Sequence, residues 1–368
     1  MAREIINFGG RDLLCDTIPS HLKFNHSAMK RLPIFLISVI IIISSCGKKG
    51  DTDNSVKPPS DLIVNAVIST DNSGNVSFTA SATNTVSFEY DFGNGVTQTV
   101  ASGVITYKYP GSGAYTVKVT AKNSAGQTLS KSMQVTVTVV LSLVWADEFD
   151  LDGAPDPAKW GYDLGAGGWG NAELENYTNR TDNAILSNGT LKIIAKAESY
   201  NGSAYTSARL LSKDKFSFKY GKIEVRAKLP TGVGSWPAIW MLGNNISTSG
   251  WPACGEIDIM EHLGRDLNKI YATLHHPGHS GANGNGTTVM VPTATTEFHT
   301  YSLEWSPASL VISVDDTPFY QFTNNPGLPF NDKFFIILNI AMGGNFGGPV
   351  DPAFSSATME IDYVKVYQ

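Results

Sequence analysis

The stretch Gly255-Glu256-Ile257-Asp258-Ile259-Met260-Glu261-His262 decides the reading of this chain. Apolar residues alternate with acids, the pattern of a strand with one face in a core and the other open. Three acids on one open face repel one another, so fold stability alone gives no reason for them. Chemistry gives one: breaking a glycosidic bond needs two carboxyl groups, one as acid/base and one as nucleophile or water activator.

Parity sharpens the point. Glu256 and Asp258 are two apart and share a face. Glu261 is five from Glu256, an odd offset that would turn it into the core of a regular strand. One extra residue in a β-bulge near Ile259-Met260 restores the common face. The reaction with retained configuration needs carboxyl groups roughly 5–5.5 Å apart. The strand is therefore expected on a concave sheet, with the two glutamates leaning together.

Composition agrees with an all-β protein. Of 368 residues 35 are glycine, aromatics make up 10% and charged residues only 16%. Short Val/Ile/Thr/Tyr runs between turn residues predict β-sandwiches, and the length predicts two domains. A net charge of −6 argues against a nucleic-acid partner. Three cysteines, Cys15, Cys46 and Cys254, make no disulfide framework or metal cluster, and Cys254 is expected to fill core.

The catalytic run resembles the signature of glycoside hydrolase family 16 in its bulged, laminarinase-like form. The resemblance covers 141–368 and rests on further blocks in family order. These are Trp145-Ala-Asp-Glu-Phe149, Gly168-Trp-Gly-Asn-Ala-Glu173, Tyr220-Gly-Lys-Ile-Glu-Val-Arg-Ala-Lys-Leu-Pro230, Trp236-Pro-Ala-Ile-Trp-Met-Leu242, His299-Thr-Tyr-Ser-Leu-Glu-Trp305 and Ile361-Asp-Tyr-Val-Lys-Val-Tyr367. It implies a concanavalin A-like jelly-roll β-sandwich that acts as a retaining endo-β-1,3-glucanase on laminarin-like glucan. Glu256 would be nucleophile, Glu261 acid/base, and Asp258 the group between them. Asn171, Glu173, Arg209, Trp236, Trp240, Trp251 and His275 would bind substrate. At His276 relatives often carry an aromatic, which leaves that subsite open. No cofactor is implied for catalysis, but a structural calcium is, held by Glu148, Asp362 and the carbonyl near Gly189. The expected partner is a neutral β-glucan, and a monomer is expected. Other substrates on this fold are mixed-linkage glucan, agarose and carrageenan. A non-catalytic β-glucan-binding protein is the reading from another class, and the presence of Glu256 and Glu261 speaks against it.

Ahead of this block, 61–140 resembles a PKD domain, a small immunoglobulin-like β-sandwich. The family's Asp-Phe-Gly-Asp-Gly appears as Asp91-Phe-Gly-Asn-Gly95, with Asn94 for the second Asp. A spacer role is expected. Residues 46–60 read as a linker. Residues 29–45 combine Met29-Lys30-Arg31 with an apolar run too short for a confident membrane span. They end in Ile43-Ser44-Ser45-Cys46, which resembles a bacterial lipobox. Cys46 is then the expected lipidation site, a lipid-anchored place in the cell envelope the expected location, and 1–28 an upstream extension.

Overall fold

The computed structural model describes residues 56–368. The expectations for 1–28, for the signal segment 29–45, for Cys46 and for most of the linker lie outside the described residues.

Residues 60–137 form two facing sheets. One holds Ser60–Ile68, Asn75–Thr83 and Val104–Lys108; the other holds Thr97–Val100, Ser87–Asp91, Gly113–Lys122 and Thr128–Val137. Alternation decides which side chains meet between them: Phe88 and Tyr90 on one strand, Val117, Val119 and Ala121 on its neighbour, with Val76 and Phe78 opposite. Tyr90 donates its phenol to the Gly103 carbonyl at 2.6 Å and Tyr109 to the Phe92 carbonyl at 3.0 Å, so neither buried hydroxyl is left unpaired. Asn94 is buried and donates to the Tyr107 hydroxyl at 2.9 Å, a bond that an aspartate, having no donor when ionised, could not make the same way.

The remainder is a larger sandwich. Its outer sheet runs Thr190–Tyr200, Ser356–Tyr367, Gly221–Lys228, His299–Trp305, Ser309–Val314 and Thr317–Thr323 as neighbours, with shorter strands at the edges. Gly221–Lys228 shows the rule at work. Ile223, Val225 and Ala227 enter the core, while Lys222, Glu224, Arg226 and Lys228 stay at the surface. The inner sheet has seven strands in the order Asn285–Met290, Asp266–His275, Glu256–Leu263, Ser235–Gly243, Phe334–Met342, Arg209–Leu211, Gly161–Asp163.

Phe334–Met342 is buried along its whole length because both of its faces are covered. Phe334, Ile336, Leu338, Ile340 and Met342 fill the sandwich core. Phe335 and Ile337 point the other way, into a smaller cluster with Leu211, Leu242 and Cys254. Burying such side chains contributes roughly 1.5–3 kcal/mol each. This clamps the middle of the inner sheet, on which the acids stand.

Candidate active site

The acid-bearing strand is Glu256–Leu263. On the Ser235–Gly243 side Trp240 pairs with Asp258 and Ile239 with Met260, so Ile259 is the supernumerary residue. The other neighbour shifts register over the same interval, with Thr273 opposite Asp258 and Tyr271 opposite Glu261. The bulge expected from parity is there. Ile257, Ile259 and Met260 all enter the core, and Glu256, Asp258 and Glu261 all face one cleft. Gly255 leads into the strand at φ 78, and a Cβ there would come within 2.9 Å of Phe334 and Pro329. Only glycine takes that conformation and that space without strain.

Each glutamate is held by an indole. Trp251 Nε1 donates to Glu256 Oε2 at 2.7 Å, and Trp236 Nε1 donates to Glu261 Oε1 at 2.9 Å. Thr273 Oγ1 donates more loosely to Glu261 Oε2 at 3.4 Å. His275 places Nε2 3.1 Å from Asp258 Oδ2 and 3.9 Å from Glu256 Oε1. Burial and the charge of Asp258 push Glu256 up to about 8, against the opposing pull of His275 and Trp251. Burial pushes Glu261 up to about 7, with the Trp236 bond opposing it and the charge of Glu256 adding to it. Burial and the charge of Glu261 hold Asp258 well above the usual carboxylate range. Three carboxyls this close share protons and titrate as a set. Near neutral pH the set still holds protons that ordinary carboxyls have lost, which leaves an acid able to donate.

The cleft, about 880 Å³, is lined by all seven residues expected to bind substrate: Asn171, Glu173, Arg209, Trp236, Trp240, Trp251 and His275. On the side away from Trp251, Asn171 Nδ2 donates to Glu173 Oε1 at 3.0 Å and the Tyr177 hydroxyl donates to Glu173 Oε2 at 2.9 Å. Asn339 donates to Tyr177 and accepts from Trp240 Nε1 at 2.8 Å, so the Trp240 ring and the Glu173 carboxylate belong to one hydrogen-bonded chain. The Arg209 guanidinium lies 4.7 Å from the Trp240 ring and 5.1 Å from the Trp169 ring, and its Nε is 3.0 Å from Asp163. Aromatic faces beside fixed polar groups suit sugar rings, which present apolar C–H faces and hydroxyl edges.

Sequence reasoning missed several lining residues: Trp169, Tyr271, Thr273, Asn339, Asn345 and Phe346. Some signals were present. Tyr271, Thr273 and His275 alternate on one strand, and Asn339 is the one polar residue in the apolar run Phe334–Met342. Phe346 sits in the single helical turn Gly344–Gly347 and meets the Trp236 ring edge-on at 5.5 Å, a contact no local pattern announces.

Two further positions are placed by the structure. His276, left open as a subsite position, is buried away from the cleft. Alternation sends His275 into the cleft and His276 to the opposite side, against Phe322 and Phe330 with Nε2 2.8 Å from Asn285 Oδ1. The residues expected to hold calcium do not fit that ion as they stand. Ca²⁺ takes six to eight oxygen ligands. Here Asp362 is paired with Arg226, and Glu148 with Lys365 at 3.1 Å, so each carboxylate already faces a cation. Gly189 sits in the turn between Ala184–Ser187 and Thr190–Tyr200 at φ 71, a conformation that accounts for the glycine without a metal.

Known proteins share this arrangement. The family model "Glycosyl hydrolases family 16" matches residues 171–365, and the PKD domain model matches 61–139. The chain is 46% identical to a beta-glucanase of Rhodothermus marinus over 242 residues, covering 61% of this chain and 85% of that protein. It is 40% identical to a glucan endo-1,3-beta-glucosidase of Cryptopygus antarcticus over 248 residues, covering 61% of this chain and 90% of the relative. The X-ray structure of the laminarinase from Rhodothermus marinus superposes with a TM-score of 0.60 at 46% identity, covering 62% of this chain and 98% of that one. The family match takes in more than half of the chain and every cleft residue from Asn171 onward, so the protein is a member of glycosyl hydrolases family 16 that carries a PKD domain ahead of its catalytic sandwich.

Proposed function

We propose that the protein is a retaining endo-β-1,3-glucanase acting on laminarin-like glucans. The observation that carries this reading is the acid trio on one bulged strand, with a tryptophan N–H on each glutamate and aromatic faces along the cleft. Relatives named as 1,3-β-glucanases and laminarinases support the linkage. In the first step Glu261 gives its proton to the departing glycosidic oxygen while Glu256 attacks the anomeric carbon. The C–O bond to the leaving sugar breaks and an ester bond to Glu256 forms. In the second step Glu261, now ionised, takes a proton from water, whose oxygen attacks the same carbon and releases Glu256. Two inversions leave the configuration unchanged. Asp258 hydrogen-bonds to Glu256, so it can take up the proton that Glu256 must lack in order to attack.

The test is product analysis on laminarin, lichenan, agarose and carrageenan, with NMR of the earliest products. A β-configured product from laminarin before mutarotation is expected. Initial α-anomer would refute the mechanism, and cleavage of a galactan in preference to laminarin would refute the substrate. We also propose that the mature chain is anchored in the cell envelope by lipid on Cys46. Cys46→Ser should release it from membranes, and an unmutated protein that is soluble and free of lipid overturns the idea.

A further inference from the structure

Glu175 takes no part in the reaction, yet it is a fully buried acid two residues from Glu173. Its Oε2 accepts the backbone N–H of Met342 at 2.6 Å, while Oε1 is buried and no donor among the described residues reaches it. The carboxyl group of Glu173 is close enough to bear on its ionisation. Two ionised carboxylates side by side in a buried place repel, and neither has a proton to give the other. A neutral member of the pair relieves both problems. Glu173 has two donors of its own, Asn171 and Tyr177. Among the described residues Glu175 has only the amide of Met342.

We propose that Glu175 is a positioning residue for the sugar-binding side of the cleft: held neutral beneath it, Glu175 accepts the Met342 N–H and donates its own proton to Glu173, fixing that carboxylate toward the substrate's hydroxyls. A neutral acid is both acceptor and donor, which is what this place requires. Burial, then the charge of Glu173 and the hydrogen bond with it, raise Glu175 well above the usual carboxylate range, with the Met342 bond opposing. The other titratable groups around the pair do not offset this. Tyr177 is fully buried with its own pKa raised, Arg209 is engaged by Asp163 at 3.0 Å, and Tyr205 is the residue paired with Glu175 on the neighbouring strand. When Glu175 ionises at high pH, two adjacent negative charges separate and Glu173 leaves its place between Asn171 and Tyr177.

The inference rests on the glucanase reading for its kinetic arm only. Glutamine at 175 keeps one acceptor and one donor; leucine keeps neither. With laminari-oligosaccharides Glu175→Gln should hold KM within about twofold of wild type and remove the rise of KM at alkaline pH. Glu175→Leu should raise KM about tenfold, as expected when one hydrogen bond to a charged group is lost, with kcat changed far less. Equal KM in the two variants, or a kcat loss that exceeds the KM effect, overturns the proposal. The infrared arm needs no substrate and no folded leucine variant. The wild-type minus Glu175→Gln difference spectrum at pH 7 should contain the carbonyl band of a neutral carboxylic acid. A carboxylate band in its place overturns the proposal, whatever glycan the protein cleaves.

Discussion

Replacing Glu256 by Gln should make the protein more stable while abolishing hydrolysis, and the gain should depend on pH. Burial and Asp258 raise Glu256 from 4.5 in the unfolded chain to about 8 in the fold. An acid with a raised folded pKa binds its proton more tightly in the native state, so stability falls as pH climbs from the unfolded value toward the folded one. Between pH 4.5 and pH 7 that is 2.5 units at 1.36 kcal/mol each, about 3.4 kcal/mol. The side chain keeps 18% exposure, and water reaching it trims the figure toward about 2 kcal/mol. Glutamine has the same shape, still accepts the Trp251 N–H, and can donate to Asp258. It never ionises, so the native protein stops losing stability through this group. For a catalytic sandwich of this size the expected rise in Tm at pH 7 is several degrees, at about 2–4 °C per kcal/mol. At pH 4.5 the rise should vanish. Calorimetry at pH 4.5, 6 and 7, following the transition of the catalytic domain, measures this, and the loss of turnover should be about 10³-fold or more. A gain independent of pH, or a variant less stable than wild type at pH 7, would refute the claim that the acid cluster is held together against its own solvation.

Other expectations follow from the same geometry. The alkaline limb of kcat/KM should set in near pH 7, since Glu261 must carry its proton in the first step. Asp258→Asn removes a like charge from Glu256 and should move the acid limb, on which the nucleophile must ionise, to lower pH, seen in a pH–rate profile. Trp251→Phe deletes the indole donor to Glu256 and should reduce kcat/KM by about 10–100-fold, the scale of a hydrogen bond to a charged group. Gly255→Ala places a methyl against Phe334 and Pro329 at a positive φ. It should cost upwards of about 1 kcal/mol in a denaturant melt and depress kcat by shifting Glu256.

The acids and their bulge were legible because side-chain direction in a strand is a matter of counting. A period of two makes Glu256 and Asp258 companions and makes Glu261 an anomaly that only one added residue repairs. The tryptophans were legible by position near that strand, but their bonds were not. Which indole meets which glutamate depends on how Trp251 approaches from its turn and how Trp236 lies across the sheet. Trp169 reaches the cleft from a turn and Phe346 from a single turn of helix, too short for a period to show. The calcium acids show a different limit. Glu148 and Asp362 follow the family's blocks, yet Arg226 and Lys365, one strand or one pairing away, give them cationic partners that a comparison of blocks does not weigh. Glu175 stood in plain sight beside Glu173, but its depth beneath the cleft comes from Met342, far along the chain.

The bulge at Ile259 also bears on which changes of length this chain tolerates. In most strands removing one residue is among the harshest edits, because every side chain beyond the cut turns to the wrong face. Here the extra residue is already a departure from regular pairing. Deleting Ile259 would bring Met260 opposite its neighbours in ordinary register and leave Glu256, Asp258 and Glu261 at even spacing. The acids would still share a face, one core isoleucine poorer and slightly closer together. The common face of the acids thus tolerates a frame of one residue between Asp258 and Glu261, at Ile259 or Met260, which marks the bulge as the seam where the spacing of the catalytic carboxyls can be retuned without rebuilding the sandwich.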